Sequence, residues 1–309
     1  GIDIRRPASA TAVLVGGLVA AIFVAPLLAP TASRAALRES VQPRFDPQTY
    51  PSPLSAFRRY VKAGAKTDMI TVSGLPQGGR LRLATMDTYN GLFYDVSTAA
   101  GAFTGVGDVI RTQQTGAAVT LSVTVNGYAD VWLPNIGSMT GISFTGPRAA
   151  DLSGSLRYSA ATGTAVVTAG LKTGDGYRLS AVVPATPDKD VLEKLGVGPA
   201  PVGATDHVPA ALTSAATTLT DGKDTVYDKV EAIRSALAGR GLLSHGDTVS
   251  SPSGHGYDRL LRLMNDKKMV GDQEQFAPAM ALMVQSLGIP ARVVMGLVPK
   301  KDRGSGSVT

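Results

Sequence analysis

The strongest constraint on the fold comes from residues 271–294, which read GDQEQFAPAMALMVQSLGIPARVV. Asp272 and Gln275 have the three-residue spacing of a capping box and stand just before an apolar run, so they predict the start of a helix. Gly288 favours the left-handed conformation that ends a helix, and Pro290 prevents its continuation. Two adjacent valines then predict a strand. The stretch therefore predicts a capped helix, an abrupt stop and a strand.

Apolar residues mark one face of this predicted helix. Spacings of four, four and three residues, the period of an α-helix, separate Phe276, Met280, Val284 and Leu287. Pro278 falls inside the segment and lacks the N–H that a helix interior uses, at a cost of about 3 kcal/mol. We therefore expect either a kink at Pro278 or a regular helix that begins near it.

The order of residues in this stretch resembles the core motif of the bacterial transglutaminase-like family, of the membrane-anchored actinobacterial type. This family is a papain-like group of cysteine acyltransferases and proteases. Its motif places a glycine, a variable residue and the nucleophilic cysteine before an acidic or polar pair, Phe-Ala, an apolar helix and Gly-Ile-Pro-Ala-Arg-Val. The matching positions here are Gly271, Glu274, Gln275, Phe276, Ala277 and residues 288–293. The resemblance covers roughly residues 208–298 and implies an α+β, papain-like domain.

Gln273 stands where this family has its cysteine. A thiol in the first turn of a helix is favoured as the thiolate by the helix dipole and the free backbone N–H groups. A glutamine has no ionisable group and forms no acyl-enzyme, and the chain contains no cysteine elsewhere. The resemblance therefore implies that no catalytic site is intact here. We interpret the neighbouring Glu274 and Gln275 as helix-capping groups. The catalytic His and Asp of the family lie on later strands, which we expect beyond Thr309.

An uncharged apolar run near the N-terminus predicts a membrane anchor. Residues 11–30, TAVLVGGLVAAIFVAPLLAP, are long enough to cross a bilayer as a helix. A signal peptide is the alternative, because Arg5 and Arg6 precede the run. We favour a transmembrane segment within residues 1–30, because the run exceeds the usual length of a signal peptide. Together with the arrangement of the resembling proteins, this predicts a protein at the cell membrane with an extracytoplasmic soluble part.

The charge pattern argues against nucleic-acid binding. The chain has 30 basic and 24 acidic residues and a net charge of +6. The basic residues are dispersed in small groups, such as Arg58 with Arg59 and Lys267 with Lys268, and they form no stripe interleaved with aromatic residues. A mildly basic domain outside the cell would be attracted weakly to anionic lipid or wall polymer.

Residues 67–184 have the period of two that is typical of strands. VTLSVTV at 119–125 alternates apolar and hydroxyl residues, and Asn90-Gly91 predicts a two-residue hairpin turn. Further segments of strand character, mostly separated by glycine-containing turns, are DVWLP, GISFT, LRYSA, TAVVTA and YRLSAVV. These segments predict a β-sandwich-like, β-rich extracytoplasmic domain, with Trp132 in its core.

Proline-rich and glycine-rich segments separate the predicted parts. Residues 31–66 combine a four-proline linker with a short helix, SAFRRYVKAG, and residues 185–207 form a second linker. Residues 208–309 are assigned to a partial transglutaminase-like core. An amphipathic helix closed by Gly239 and Gly241 is indicated there by the spacing of Val226, Val230, Ile233 and Leu237, and YDRLLRLM predicts another.

The three histidines, His207, His245 and His255, lie in polar loops. Neither H-x-x-x-H spacing nor thiols accompany them, so the sequence indicates no metal site, and we expect no cofactor. We expect all three to be exposed loop residues.

The sequence predicts a catalytically inactive, membrane-anchored pseudoenzyme that binds a peptide or cell-wall ligand or scaffolds a membrane protein complex. An active acyltransferase or peptidase with an unidentified nucleophile is one alternative, and a structural envelope adaptor is another. Because the sequence assigns no base to position 273, Gln273→Cys alone is expected to create no amide hydrolysis.

Overall fold

Helices and strands are mixed along the chain, as the sequence predicts. The structure is a computed structural model that describes residues 45–98, 102–201 and 203–299 and the strand at 307–308. The predicted transmembrane segment lies outside these described residues. Within them, no helix combines the length and the apolar character needed to span a bilayer. All of them belong to one compact unit.

The helices of the described ranges are mostly short and cluster after residue 208. They are α1 (Phe57–Val61), α2 (Ala149–Ser155), α3 (Lys189–Leu192), α4 (Ala210–Leu219), α5 (Val226–Arg240), α6 (Tyr257–Asn265) and α7 (Gln273–Ser286). Two 3₁₀ turns, Pro47–Thr49 and Pro53–Ala56, precede α1. The short helix predicted within 55–64 is confirmed as the second of these turns with α1.

The strands concentrate in the middle of the chain. They are β1 (Ile70–Ser73), β2 (Leu81–Met86), β3 (Thr88–Tyr89), β4 (Tyr94–Asp95), β5 (Thr104–Gly105), β6 (Ala117–Val125), β7 (Ser138–Thr145), β8 (Leu156–Ser159), β9 (Thr164–Val167), β10 (Gly176–Val183), β11 (Gly241–Leu243), β12 (Met269–Gly271), β13 (Val293–Leu297) and β14 (Ser307–Val308). All of the predicted strand segments are confirmed except DVWLP, where Trp132 makes an isolated bridge to Val166.

The largest sheet has the strand order β14-β1-β6-β10-β7, with antiparallel neighbours. Along β6 the predicted alternation places Leu121, Val123 and Val125 in the core, while the hydroxyl residues between them face outward. The period of two therefore decides which face of this strand is buried. Trp132 is also buried, so its predicted core position is confirmed.

The hairpin at Asn90 differs from the predicted one in the length of its loop. Tyr89 pairs with Tyr94, so four residues connect β3 to β4 instead of two. The side-chain oxygen of Asn90 accepts hydrogen bonds from the backbone N–H groups of Leu92 and Phe93, and Gly91 has a positive φ of 86°. The asparagine side chain thus caps a longer loop, which the Asn-Gly pair does not distinguish from a two-residue turn.

Strand β13 follows helix α7 and pairs antiparallel with β2 from the middle of the chain. The end of α7 is a Schellman motif: Gly288 has a φ of 75°, its N–H donates to the Gln285 carbonyl, and the Ile289 N–H donates to the Val284 carbonyl. The predicted glycine stop is therefore confirmed. Because the turn between α7 and β13 is tight, the pairing of β13 with β2 fixes the position of α7 relative to these two strands.

Helices α4, α5 and α6 all contact α7. The predicted helix at 226–237 is confirmed as α5, which buries Ile233 and Leu237 and continues through Gly239 before it ends at Arg240. Helix α7 itself runs through Pro278 without interruption, so the predicted alternative of a late start is wrong. Burial of the residues around Pro278 offsets the cost of its missing hydrogen bond.

A substitution at Gly296 tests the pairing of β13 with β2. A Cβ atom at this position would meet the carbonyl oxygen of Leu81, well inside van der Waals contact. We expect Gly296→Ala to lower the free energy of unfolding by about 2 kcal/mol, because the neighbouring strand must shift. Equilibrium urea unfolding followed by circular dichroism measures the change.

Gly239→Ala is the matched control. Gly239 lies within α5 and nothing lies within 4 Å of the added methyl group. Since alanine is the better helix former, this variant should be more stable by about 0.5 kcal/mol. Equal effects of the two substitutions would contradict the register of β2 and β13.

Candidate functional site

The first turn of α7 separates buried carboxylates from one exposed amide. Asp272 is the N-cap: its Oδ1 accepts the Glu274 N–H at 2.9 Å, and its own N–H donates to Gln275 Oε1 at 3.0 Å. The predicted capping box is therefore confirmed. Asp272, Glu274 and Gln275 are buried, whereas Gln273 and Ala277 are exposed on the opposite face of the turn.

Arg58, on α1, is the cation that compensates the two buried carboxylates. Its Nε lies 2.9 Å from Asp272 Oδ2 and 3.5 Å from Glu274 Oε2. The other guanidinium nitrogens donate to the carbonyl and the hydroxyl of Ser251. Arg58 therefore ties α1 to the loop before α6 and to the start of α7. In the sequence it was part of a dispersed basic group, and no local signal identified its partners.

His245 contacts the same carboxylate oxygen of Asp272 as Arg58 does. Its Nδ1 lies 3.1 Å from Asp272 Oδ2, and the Phe57 ring packs against its imidazole with centroids 6.0 Å apart. The side chain is 27% exposed. In the part of the chain that the structure describes, Nε2 makes no hydrogen bond. The expectation of an exposed loop histidine is thus only partly right for His245.

His255 is buried, so the expectation that it is exposed is wrong. Only 1% of the residue is accessible, and Nδ1 lies 3.5 Å from Glu274 Oε1, which also accepts the Gly254 N–H at 2.9 Å. Its buried Nε2 has no hydrogen-bond partner among the described residues. The composition of the loop suggested exposure, but the loop folds over the first turn of α7. His207 is exposed, as predicted.

Glu274 and Gln275, the two predicted neighbours of the family nucleophile position, bond to each other, because Gln275 Nε2 donates to Glu274 Oε2 at 3.2 Å. Gln275 completes the capping box and its Nε2 donates to the Gly254 carbonyl at 2.6 Å. Glu274 also pairs with Arg58, Gly254 and His255. Both side chains therefore hold the loop and the helix start together, and neither of them reaches solvent.

Two cavities flank Gln273, with volumes of about 700 and 730 Å³. Gln273, Ala277, Val293 and Val294 line both of them. The first cavity also reaches His245 and Phe57. The second is lined by Phe276, Met280 and Val284 of the predicted apolar face of α7. Phe276 and Met280 are half-buried against this cavity, whereas Val284 belongs to the buried core. Within the described ranges, the Gln273 side chain makes no hydrogen bond, which leaves its amide free to contact a ligand.

Asp95, on β4, is a buried carboxyl group near His255. Burial raises its pKa from 3.8 to about 6, while the hydrogen bond from the Val96 N–H and the nearby His255 lower it. Asp87 acts in the same direction as burial. Among the described residues, no group of three or more His, Cys, Asp or Glu side chains is arranged to hold a metal ion.

Comparison with known proteins identifies the C-terminal part. Residues 213–308 match the family model described as the transglutaminase-like superfamily. The fold also matches the crystal structure of the periplasmic domain of TgpA from Pseudomonas aeruginosa, with a TM-score of 0.55 and 15% sequence identity, over 87% of this chain and 84% of that chain. A search of curated proteins finds no match. The C-terminal part is therefore a transglutaminase-like domain, and the likeness to the solved structure concerns the fold.

Arg58 and Arg59 are adjacent on α1 but differ in burial, and so they form a matched pair. Arg58→Met leaves Asp272 and Glu274 without their cation, which should lower the free energy of unfolding by about 3 kcal/mol. Arg59 makes a surface contact with Asp130 at 3.3 Å, so Arg59→Met should change it by less than about 1 kcal/mol. Urea unfolding at neutral pH checks both, and similar losses would contradict the role of Arg58.

The raised pKa of Asp95 predicts that the stability of the fold depends on pH. Because its pKa is raised in the folded chain, the folded state binds more protons than the unfolded state between about pH 4 and 6, and stability falls as pH rises through that window. Asp95→Asn removes this contribution, and after allowance for solvent screening it should stabilise the fold at pH 7 by roughly 1–2 kcal/mol.

Unfolding curves from pH 4 to pH 7 measure this effect, with Asp247→Asn as the control. Asp247 is an exposed carboxylate paired with Lys62. In the control, the free energy of unfolding should change with pH as it does in the natural chain. If Asp95→Asn also keeps this pH dependence, the dependence does not come from Asp95.

Proposed function

We propose that this chain is part of a membrane-anchored transglutaminase-like protein that binds a ligand without forming an acyl-enzyme, and that it is therefore a pseudoenzyme of the cell envelope. The observation that carries this proposal is the exposed Gln273 in the first turn of α7, between two cavities. This turn is the place where a nucleophile would benefit most from the helix dipole.

The chemistry of the side chain supports an inactive site. A carboxamide has no proton to lose at physiological pH and is a poor nucleophile, and the chain has no cysteine to replace it. The same carboxamide provides two N–H donors and one carbonyl acceptor. The Gln273 side chain is therefore better suited to form hydrogen bonds with a ligand than to act on it as a nucleophile.

The cavities support a ligand of mixed polarity. Apolar side chains of α1, β1, β2, α5, α7 and β13 form most of the walls. The polar groups include Gln273 in both cavities, Asp68, Arg80, Arg82 and His245 in the first, and Arg234 and Arg292 in the second. Small-molecule and peptide sites commonly have this character, in which apolar walls give affinity and a few polar groups fix orientation. A peptide, or a peptide-bearing fragment of the cell wall, has both the amide groups and the apolar side chains that this site would accept.

Two observations support a location at the envelope. The solved structure of similar fold is a periplasmic domain. Residues 11–30 have the length and apolarity of a membrane span. We therefore propose an extracytoplasmic domain on a membrane anchor, where it would also be able to join a membrane protein complex.

The first test asks whether the natural chain has acyl-transfer activity. The protein is incubated with a glutamine-containing peptide and a fluorescent primary amine, and both amine incorporation and peptide hydrolysis are followed. We expect neither, because Gln273 cannot form the acyl-enzyme. Turnover by the natural chain above the buffer rate would overturn the pseudoenzyme proposal.

The second test asks whether the cavities bind a wall peptide. Ala277 is exposed and lines both cavities, so Ala277→Leu should fill part of both and weaken binding by about tenfold, or 1.4 kcal/mol. Ala210→Leu, an exposed position at the start of α4 outside both linings, is the control. Calorimetry with soluble wall peptides measures both variants, and no binding by the natural chain would exclude this ligand class.

A further inference from the structure

We propose that His245 and Asp272 form a base and its orienting carboxylate for whichever side chain occupies position 273. A single substitution, Gln273→Cys, would then give this domain a reactive thiol. This inference goes beyond the proposed function, which concerns the natural chain with its glutamine. It also replaces the expectation from sequence that a thiol at this position would have no base.

The carboxylate is held in place independently of the histidine. Asp272 is buried, its Oδ1 accepts the Glu274 N–H at 2.9 Å, and its Oδ2 accepts from Arg58 Nε at 2.9 Å. The same Oδ2 lies 3.1 Å from Nδ1 of His245. A carboxylate fixed in this way selects the imidazole tautomer that carries its proton on Nδ1, as the aspartate of a catalytic triad does.

The other ring nitrogen is then the basic one. With the proton on Nδ1, the lone pair of the neutral imidazole lies on Nε2. In the described part of the chain Nε2 makes no hydrogen bond, and His245 lines the cavity of about 700 Å³ that Gln273 also lines. The contact with Asp272 places His245 at the start of α7, beside the cavity that both His245 and Gln273 line.

The rest of the loop limits how far the imidazole can move. Phe57 packs on the ring, and the buried Ser244 donates to the Val249 carbonyl at 2.6 Å and accepts the Gly246 N–H at 3.0 Å. A purely structural role for His245, as a clamp on this loop, would need the contact with Asp272 but neither a place in the cavity wall nor an Nε2 without a hydrogen bond in the described ranges. The two roles therefore differ in what they predict for a thiol at 273.

A cysteine at position 273 would have two sources of thiolate stabilisation. The first turn of α7 supplies free N–H groups and the positive end of the helix dipole. His245 would supply the second by accepting the thiol proton, which leaves an imidazolium next to the thiolate. Each cationic neighbour lowers the pKa of a thiol, so the pair should titrate well below the ordinary cysteine value of about 8.5.

The chemical step can be written for an activated ester, p-nitrophenyl acetate. The thiol proton moves to Nε2 of His245, and the sulfur attacks the carbonyl carbon. A carbon–sulfur bond forms and the carbon–oxygen bond to the leaving group breaks. The products are an acetyl thioester on residue 273, p-nitrophenolate and a protonated His245, so atoms and charge balance.

The experiment compares Gln273→Cys with the double variant Gln273→Cys/His245→Gln. Because the natural chain contains no cysteine, the introduced thiol is the only one and the natural chain is a blank. Alkylation by iodoacetamide is measured from about pH 5 to pH 9, and the release of p-nitrophenol is followed in the first turnover. Mass spectrometry locates the adducts.

We expect Gln273→Cys to be alkylated about tenfold faster than the double variant near pH 6.5, with a lower inflection in its pH profile, and to show a burst that the double variant lacks. Val226→Cys, at the first position of α5, supplies a helix dipole without an adjacent imidazole. It should behave like the double variant.

Coincident pH profiles for Gln273→Cys and the double variant would overturn the inference. Glutamine at 245 keeps a donor for Asp272, and circular dichroism verifies that both variants fold. An independent check uses the ¹⁵N shifts of His245 in the natural chain: a proton on Nε2 instead of Nδ1 in the neutral ring would also overturn it. Neither result bears on the proposed function, which fails only if the natural chain transfers acyl groups or binds no wall peptide.

Discussion

The buried contact between Arg58 and the carboxylates of Asp272 and Glu274 determines the arrangement of the site. Two carboxylates in the interior carry a large desolvation cost, which only a well-placed cation and several hydrogen bonds offset. Arg58 meets both, and its remaining N–H groups are used by Ser251. The start of α7 also favours negative charge there. Helix α1, the 251–255 loop and α7 are consequently fixed to one another.

This arrangement decides which groups face the cavities. Successive residues of a helix point about 100° apart, so a turn that directs Asp272, Glu274 and Gln275 inward directs Gln273 and Ala277 outward. The charged groups of the turn are used in internal contacts, and the cavities receive an amide and a small apolar residue. His245 is the exception, because one ring nitrogen belongs to the buried network and the other lies free of it. The site therefore combines a polar network beneath the turn with mainly apolar walls above it.

Local signals in the sequence predicted the parts of this site that depend on near neighbours. The Asp272–Gln275 cap, the Gly288 stop and the strand after Pro290 need residues only a few positions apart, and all three are confirmed. Arg58 could not be assigned, because it lies 214 residues from Asp272 in the chain. His255 was predicted to be exposed because its loop is polar. The loop composition does not show that His255 is buried beside Glu274, 19 residues later in the chain. At Asn90 the error was of another kind, since one dipeptide is compatible with two loop lengths.

Residue 273 differs from its neighbours in what it contributes to the fold. Replacement of Asp272 or Glu274 would leave Arg58 or a backbone N–H without its partner in the interior, so the chain can change these residues only at a large loss of stability. Gln273 makes no hydrogen bond in the described ranges, and glutamine is a good helix former. The position can therefore exchange an ionisable side chain for an amide with little effect on folding. The domain can in this way keep its helix start, its cap and its buried network whichever side chain stands at position 273.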